Sequence, residues 1–385
     1  MDWRPEAGRR LTLIGGGHSH VEVLRRFGRR PLAGVELSLI SPDRYTPYSG
    51  MLPGYVAGHY HWSEVHIDLA RLARFAGARF SRDRATGLLL EARQVQCASG
   101  HGIGWDRLSI NLGATPSLTT AGVAAHALAV KPIQRFNDHW LALLERVRTS
   151  SGPLRIAVVG GGAGGVELLL AMHYRLRREC RALGQDPGRL GFALFSRSRD
   201  LLATHPASVR RRFRRVLGAR GIETHCGRAV TAADSAGLKT DDGRHHGADE
   251  IIWVTGVQGP EWLRASGLAL DAQGFVKVSA SLQSITDPGV FAAGDIASVI
   301  DQPCAKAGVV AVRQGPVLAR NLRRSLRGRR VRPWRAQRRW LALISTGDRY
   351  AVASRGSLGL GGRWLWHCKD WIDRRFMRRY QPGGT

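Results

Sequence analysis

The apolar positions of this chain begin with a strand-like run, Leu11-Thr12-Leu13-Ile14, which the glycines Gly15 to Gly17 cut short. From His20 to Phe27 the apolar residues fall at helical spacing, and Val35 to Ile40 reads as a second strand. The same succession returns near residue 155: Leu154 to Val159 as strand, Gly160 to Gly165 as turn, Val166 to Cys180 as helix and Gly191 to Phe195 as strand. A strand–glycine–helix–strand unit that occurs twice predicts an α/β fold with two Rossmann-like dinucleotide-binding domains. Between the units a helix is expected over Phe136 to Val147. Leu238 to Val254 reads as a hairpin turned at Asp242-Gly243, with Glu250 to Val254 as its buried arm. Val290 to Ala293 is a further short strand, and an α+β segment rich in arginine and aromatics closes the chain.

The second glycine turn is the more regular. Gly160, Gly162 and Gly165 fit G-x-G-x-x-G between a strand and a helix. The first glycine permits the tight turn, the second lets the backbone approach a pyrophosphate, and the third lets helix and strand close on each other. The strand that follows ends in Phe195-Ser196-Arg197 with no acidic residue for a ribose 2′-hydroxyl, so Arg197 favours a 2′-phosphate and NADPH over NADH. The alternative is that Arg197 is one more arginine in an arginine-rich chain. In the first turn Gly15 and Gly17 fit, but His20 stands at the third position. His18, Ser19 and His20 read as phosphate-contacting or packing residues, because no Cys, Asp or Glu set accompanies them, and no metal is expected. Ser41 and Asp43 follow the second strand, where an adenosine ribose is held. Farther on, Gly294-Asp295 ends a strand with a glycine for close approach and a carboxylate for ribityl hydroxyls. Gly113 and Thr255-Gly256 sit at strand ends where the chain crosses over.

These motifs, in this order from Leu11 to Leu322, resemble the flavoproteins with two dinucleotide-binding domains, the pyridine nucleotide-disulfide oxidoreductases and type II NADH dehydrogenases. A narrower resemblance rests on Gly15 to His20, Ser41 to Gly54, Lys306 to Val309 and Leu343 to Tyr350, and is to a subgroup also found fused to selenide, water dikinase. The resemblance implies an enzyme that passes hydride from NAD(P)H to N5 of FAD and electrons onward to an acceptor, with a quinone favoured. A soluble reductase of a selenium or sulfur species or of a partner protein is the alternative, and a flavin-bound basic binding protein a third. It implies an FAD unit over residues 1–120 that returns at 281–325, an NAD(P)H unit over 121–280 and a docking segment over 326–385. Arg44, Pro47, Gly50 and Met51 would join the first turn around FAD, with Ala307 and Gly308 at the start of a helix expected over Lys306 to Gln314 on the flavin side. Glu167, which closes the second glycine motif, would orient the nicotinamide or handle a proton; otherwise it is a carboxylate favoured by a helix N-terminus. Lys306 would stabilise the reduced flavin, or else face solvent, and Lys131 would pair with Glu167.

Composition changes this picture in two ways. Lys+Arg is 58 against 30 Asp+Glu, a net charge of +28. In the tail, Trp364, Trp366, Trp371, Phe376 and Tyr380 interleave with Arg363, Lys369, Arg374, Arg375, Arg378 and Arg379, a chemistry that suits an anionic lipid surface. A packing helix with solvated arginines is the plainer reading, and nucleic acid is the least favoured partner. The five cysteines are scattered, without a C-x-x-C pair, and fit a reducing cytoplasmic compartment. Met1 to Arg10 is too polar for a secretory signal, and no stretch reaches the roughly 18 apolar residues of a membrane span. The expected location is cytoplasmic, peripheral to the inner face of the membrane.

Overall fold

A computed structural model describes residues 9–337 and 340–381. The N-terminal stretch up to Gly8 and Arg338-Arg339 of the basic run lie outside the described residues.

Two five-stranded sheets dominate, and every strand pair in them is parallel. The first runs in space Val290–Ala292, Arg107–Ile110, Arg9–Ile14, Val35–Ile40, Ala78–Ser81. The second runs Leu128–Ala129, Glu250–Trp253, Leu154–Val159, Leu190–Ser196, Glu223–Cys226. In each, the strand that feeds the glycine turn is central. Parallel strands covered on both faces are apolar on both, which explains why Leu11, Leu13 and Ile14 are all buried, as are Ile156, Ala157 and Val158. The helices after the turns span His18–Arg29 and Ala163–Ala182, longer at both ends than the apolar periodicity marks.

Two expectations are corrected. The Asp242-Gly243 hairpin is real, but its second arm is His245–Gly247, which pairs with Gly237–Thr240. Glu250–Trp253 leaves the hairpin and inserts into the parallel sheet beside Leu154–Val159, because its apolar side chains belong to that core. The helix expected from Lys306 starts at Gly308 and runs to Leu326. It packs against His18–Arg29 so closely that a Cβ on Gly315 would come within 2.8 Å of Glu22.

The last segment is an antiparallel sheet, Ala342–Ser345, Ala351–Arg355 and Leu358–Gly362, followed by the helix Arg363–Arg378. It leans on both halves. Arg220 bridges to Asp348 at 2.8 Å on the second-sheet side. On the first-sheet side the Tyr380 hydroxyl donates to Glu22 at 3.0 Å, and Arg374 meets Glu64 at 2.5 Å. The tail aromatics divide accordingly: Trp366, Phe376 and Tyr380 pack inward, and only Trp364 and Trp371 of the interleaved set face outward. Among the described residues no helix is long and apolar enough to cross a membrane.

Candidate cofactor and proton site

The first glycine turn is locked to the strand beside it by Asn111. Its side-chain oxygen accepts from the Ser19 and His20 amides at 3.0 and 3.2 Å, and its amide nitrogen donates to the Ala293 carbonyl at 2.6 Å. One side chain thus joins the turn to the Gly294-Asp295 return. The turn needs its glycines: Gly15 has φ +93°, and a Cβ on Gly17 would lie 2.3 Å from Asn111 Oδ1. Gly294 has φ +72° and donates its N–H to Gln314 Oε1 at 2.6 Å. Two polar atoms here are buried and unpartnered, His18 Nε2 and Gln314 Nε2. Burial pushes His18 down to about 4, so its ring is neutral. The helices that begin at His18 and Gly308 have no side-chain cap. Open helix N-termini and orphaned buried polar atoms around a glycine cradle fit a dinucleotide such as FAD.

The second turn is more open. Gly160 has φ +141°, a Cβ on Gly162 would meet nothing within 4 Å, and a Cβ on Gly165 would lie 2.0 Å from the Gly160 carbonyl. The helix from Ala163 is again uncapped. Arg197 is exposed just past the strand Leu190–Ser196, and Thr255 and Gly256 follow Glu250–Trp253 at the same sheet end. This arrangement fits the diphosphate of a nicotinamide nucleotide.

Glu167 lies where the second turn's helix meets the last segment. Its Oε1 accepts the Ser345 amide at 2.6 Å. Burial raises it to about 7, against the charge of Lys369 and the Ser345 hydrogen bond, while Asp373 adds to the rise. Lys369 is largely buried, its side chain 13% exposed, and donates to Asp373 Oδ2 and to the Gly50 carbonyl, both at 2.6 Å. Burial lowers Lys369, but Asp373 and Glu167 outweigh it and raise it above the ordinary lysine range, so the ammonium stays charged. Asp373 also faces the Tyr48 hydroxyl, and Tyr48 stacks on Phe376 at 4.3 Å. One buried cation therefore stands among two carboxyls. Asp373 is bonded to it directly and Glu167 is not; burial raises both carboxyls, and Glu167, at about 7, is able to hold a proton near neutrality.

Several expected residues are placed otherwise. Lys131 does not pair with Glu167; its Nζ meets Asp295 Oδ2 at 3.0 Å, and Lys369 supplies the charge near Glu167. Lys306 donates to the Ala297 carbonyl at 2.7 Å with its ammonium 3.8 Å over the Phe275 ring, and Asp295 acts on it only through its field. The Ser19 hydroxyl is committed to the Ala311 carbonyl at 2.6 Å. Met51 is a fully buried core side chain rather than a lining one. Arg44 forms a pair with Asp68 at 2.8 Å, and Ser41 bonds the Asp43 carbonyl at 3.1 Å, leaving Asp43 itself exposed at the strand end. Pro47 and Gly50 do border the site, through carbonyls that face His18 and Lys369. Gly113 takes φ +74° at its strand end, and Ala307 is the N-cap before Gly308. The sequence reading missed Asn111, Gln314, Tyr48 and Asp373, and assigned Lys369 to the surface. The chain has only five lysines, and that scarcity was a signal that could have singled out Lys369.

The chain is 25% identical over 349 residues to the demethylphylloquinone reductase NdbB of Synechocystis, covering 86% of this chain and 83% of that protein. Its fold is that of the sulfide:quinone oxidoreductase of Aquifex aeolicus (TM-score 0.81, 19% identity, 98% of this chain and 92% of that one). It is likewise that of Plasmodium falciparum NDH2 in complex with NADH (TM-score 0.78, 15% identity, 98% and 99%). The two glycine turns and the return strand fall within residues 9–315, which match the pyridine nucleotide-disulphide oxidoreductase model, and the chain belongs to that family.

Proposed function

We propose that this protein is an FAD-dependent NAD(P)H oxidoreductase that reduces a quinone-like acceptor while docked on a membrane surface. The first sheet with its return, residues 1–120 and 281–325, would hold FAD; 121–280 would hold NAD(P)H; 326–385 would cover the acceptor side and dock. The observation that carries the reading is the Glu167–Lys369–Asp373 cluster, assembled where the second turn and the last segment meet. The chemistry supplied by bound FAD is two-electron transfer, from NAD(P)H to the acceptor. Reducing a quinone to a quinol takes two electrons and two protons, and a hydride carries only one of those protons. Glu167, held near neutrality, supplies the other, and Lys369 steadies the negative charge that develops on an acceptor oxygen. Relatives named for demethylphylloquinone and for sulfide:quinone chemistry support a quinone.

Three finer readings belong with this one. The exposed Arg197, beside an equally exposed Arg199, supports NADPH over NADH. Leu358 and Leu360 are 69% and 59% exposed, and Trp364 and Trp371 59% and 55%, with Arg363 and Arg375 exposed among them. Apolar side chains rimmed by arginine support docking on the anionic inner face of a membrane. The Gly15 to His20 and Ser41 to Gly54 motifs support the subgroup that is also fused to selenide, water dikinase, which makes a selenium or sulfur species the acceptor to test after quinones.

The test is anaerobic stopped-flow mixing of the FAD-loaded protein with NADH and with NADPH, followed by a short-chain quinone. Rapid bleaching of the flavin, faster with NADPH, and recolouring by the quinone are expected. A flavin untouched by either nucleotide sinks the reading. Flotation with anionic vesicles checks the docking, and failure to float with them removes it.

A further inference from the structure

Lys131 and Asp295 come from different halves of the molecule. Lys131 follows Leu128–Ala129, the edge strand of the second sheet, and precedes the helix Ile133–Thr149. Asp295 belongs to the return that follows Val290–Ala292 of the first sheet. Their contact, Nζ to Oδ2 at 3.0 Å, engages one carboxylate oxygen and leaves Oδ1 for a ligand hydroxyl. Asp295 is 17% exposed and Lys131 39%. His18 lies in the field of both, with its Nε2 buried and unpartnered. A cation, a carboxylate and an orphaned ring nitrogen thus gather at the first glycine turn, on the residues that fit FAD. Lys306, the cation expected there, is spent on the Ala297 carbonyl and the Phe275 ring.

We propose that Lys131 is the positioning residue that sets the electron affinity of the flavin. Through Oδ2 it holds Asp295 so that Oδ1 meets FAD, and its charge favours the reduced cofactor over the oxidised one. This rests on the FAD reading above. Hydride transfer from NAD(P)H brings two electrons and one proton, so the flavin gains one negative charge while the nicotinamide gains one positive charge. A fixed cation nearby stabilises the product of that step and not its start. Asp295 is present in both states and serves to aim the ammonium; Lys131 supplies the difference.

The experiment is a spectroelectrochemical titration of the FAD-loaded full chain, with FAD affinity of the oxidised protein measured alongside. Lys131→Met is expected to lower the preference for reduced over oxidised FAD about tenfold, a midpoint about 30 mV more negative for a two-electron couple. Lys131→Arg should restore the wild-type midpoint, and Lys306→Met should leave it in place. Lys131→Gln repeats the test should the methionine variant fail to fold. A wild-type midpoint in Lys131→Met or Lys131→Gln with only a lower melting temperature would reduce the pair to a tie between halves and overturn the proposal. So would a shift produced by Lys306→Met instead. Wild-type protein that binds no FAD overturns the FAD reading itself, and is told apart by its lack of a flavin spectrum.

Discussion

Glu22 and Glu167 occupy the same place in the two strand–glycine–helix units. Each ends a Val-Glu pair that follows the third turn position, His20 in one unit and Gly165 in the other. Their surroundings are opposite. Glu22 is taken by Arg25 Nε at 2.9 Å and Arg26 Nε at 2.6 Å and capped by the Tyr380 hydroxyl at 3.0 Å. Burial opposes its ionisation, but the two arginines outweigh burial and keep it below the ordinary carboxylate range. Glu167 has the Ser345 amide and no arginine partner among the described residues, and burial raises it to about 7. The turns differ in the same spirit. Gly165 leaves no room for a side chain against the Gly160 carbonyl, whereas His20 sets its ring against the Gly15 carbonyl. His20 Nδ1–H donates to the Gly15 carbonyl at 2.7 Å, which leaves Nε2 to accept from the Ser109 hydroxyl at 2.8 Å. That ring is neutral, because burial pushes it down to about 4. A duplicated backbone frame therefore carries one carboxylate fixed for structure and one left able to exchange a proton.

The comparison is sharpest at Glu167. Glu167→Gln should slow reduction of the acceptor roughly 10³-fold while flavin reduction by the nucleotide persists, as expected for loss of a positioned proton donor. The sign of the pH dependence follows from its raised value. The group is protonated and able to donate below about 7, so the wild-type rate falls as pH rises through 7 and the variant's does not. A pH–rate profile of the quinone half-reaction checks both. Next comes the second turn. Gly165→Val places a side chain where even a Cβ would lie 2.0 Å from a carbonyl, and should cost about 3 kcal/mol in urea unfolding along with nucleotide binding. His20→Gly makes the first turn match the glycine fingerprint yet should destabilise by about 2 kcal/mol, since the Gly15 carbonyl and Ser109 hydroxyl lose their partner. A neutral or stabilising result there breaks the comparison. The smallest effect is expected for Glu22→Gln, about 1–2 kcal/mol of stability from a pair that is partly open to solvent, with the quinone pH profile unmoved. A moved profile would mean that the two carboxylates are not separated as described.

Much of the fold was legible because it is local. Val35–Ile40 and Leu154–Val159 have the bounds that their apolar runs mark, and both glycine turns fall where backbone close approach demands them. The misreadings are of another kind. Glu250–Trp253 was assigned to a hairpin because the Asp242-Gly243 turn is near in sequence, but an apolar strand goes where a core lacks one, beside Leu154–Val159. Lys369 was assigned to a lipid surface because its neighbours are aromatic and basic, whereas its position on Arg363–Arg378 aims it inward at Asp373 and the Gly50 carbonyl.

By itself the sequence determined the two dinucleotide frames, their order and the family, because strand, turn and helix depend on residues a few positions apart. Only the tertiary structure decided which partners the charged groups meet. Glu167 and Ser345 are 178 positions apart, and Lys131 and Asp295 are 164. A buried charge must find its partner across the folded chain or give up its charge, and no local pattern records where that partner will be.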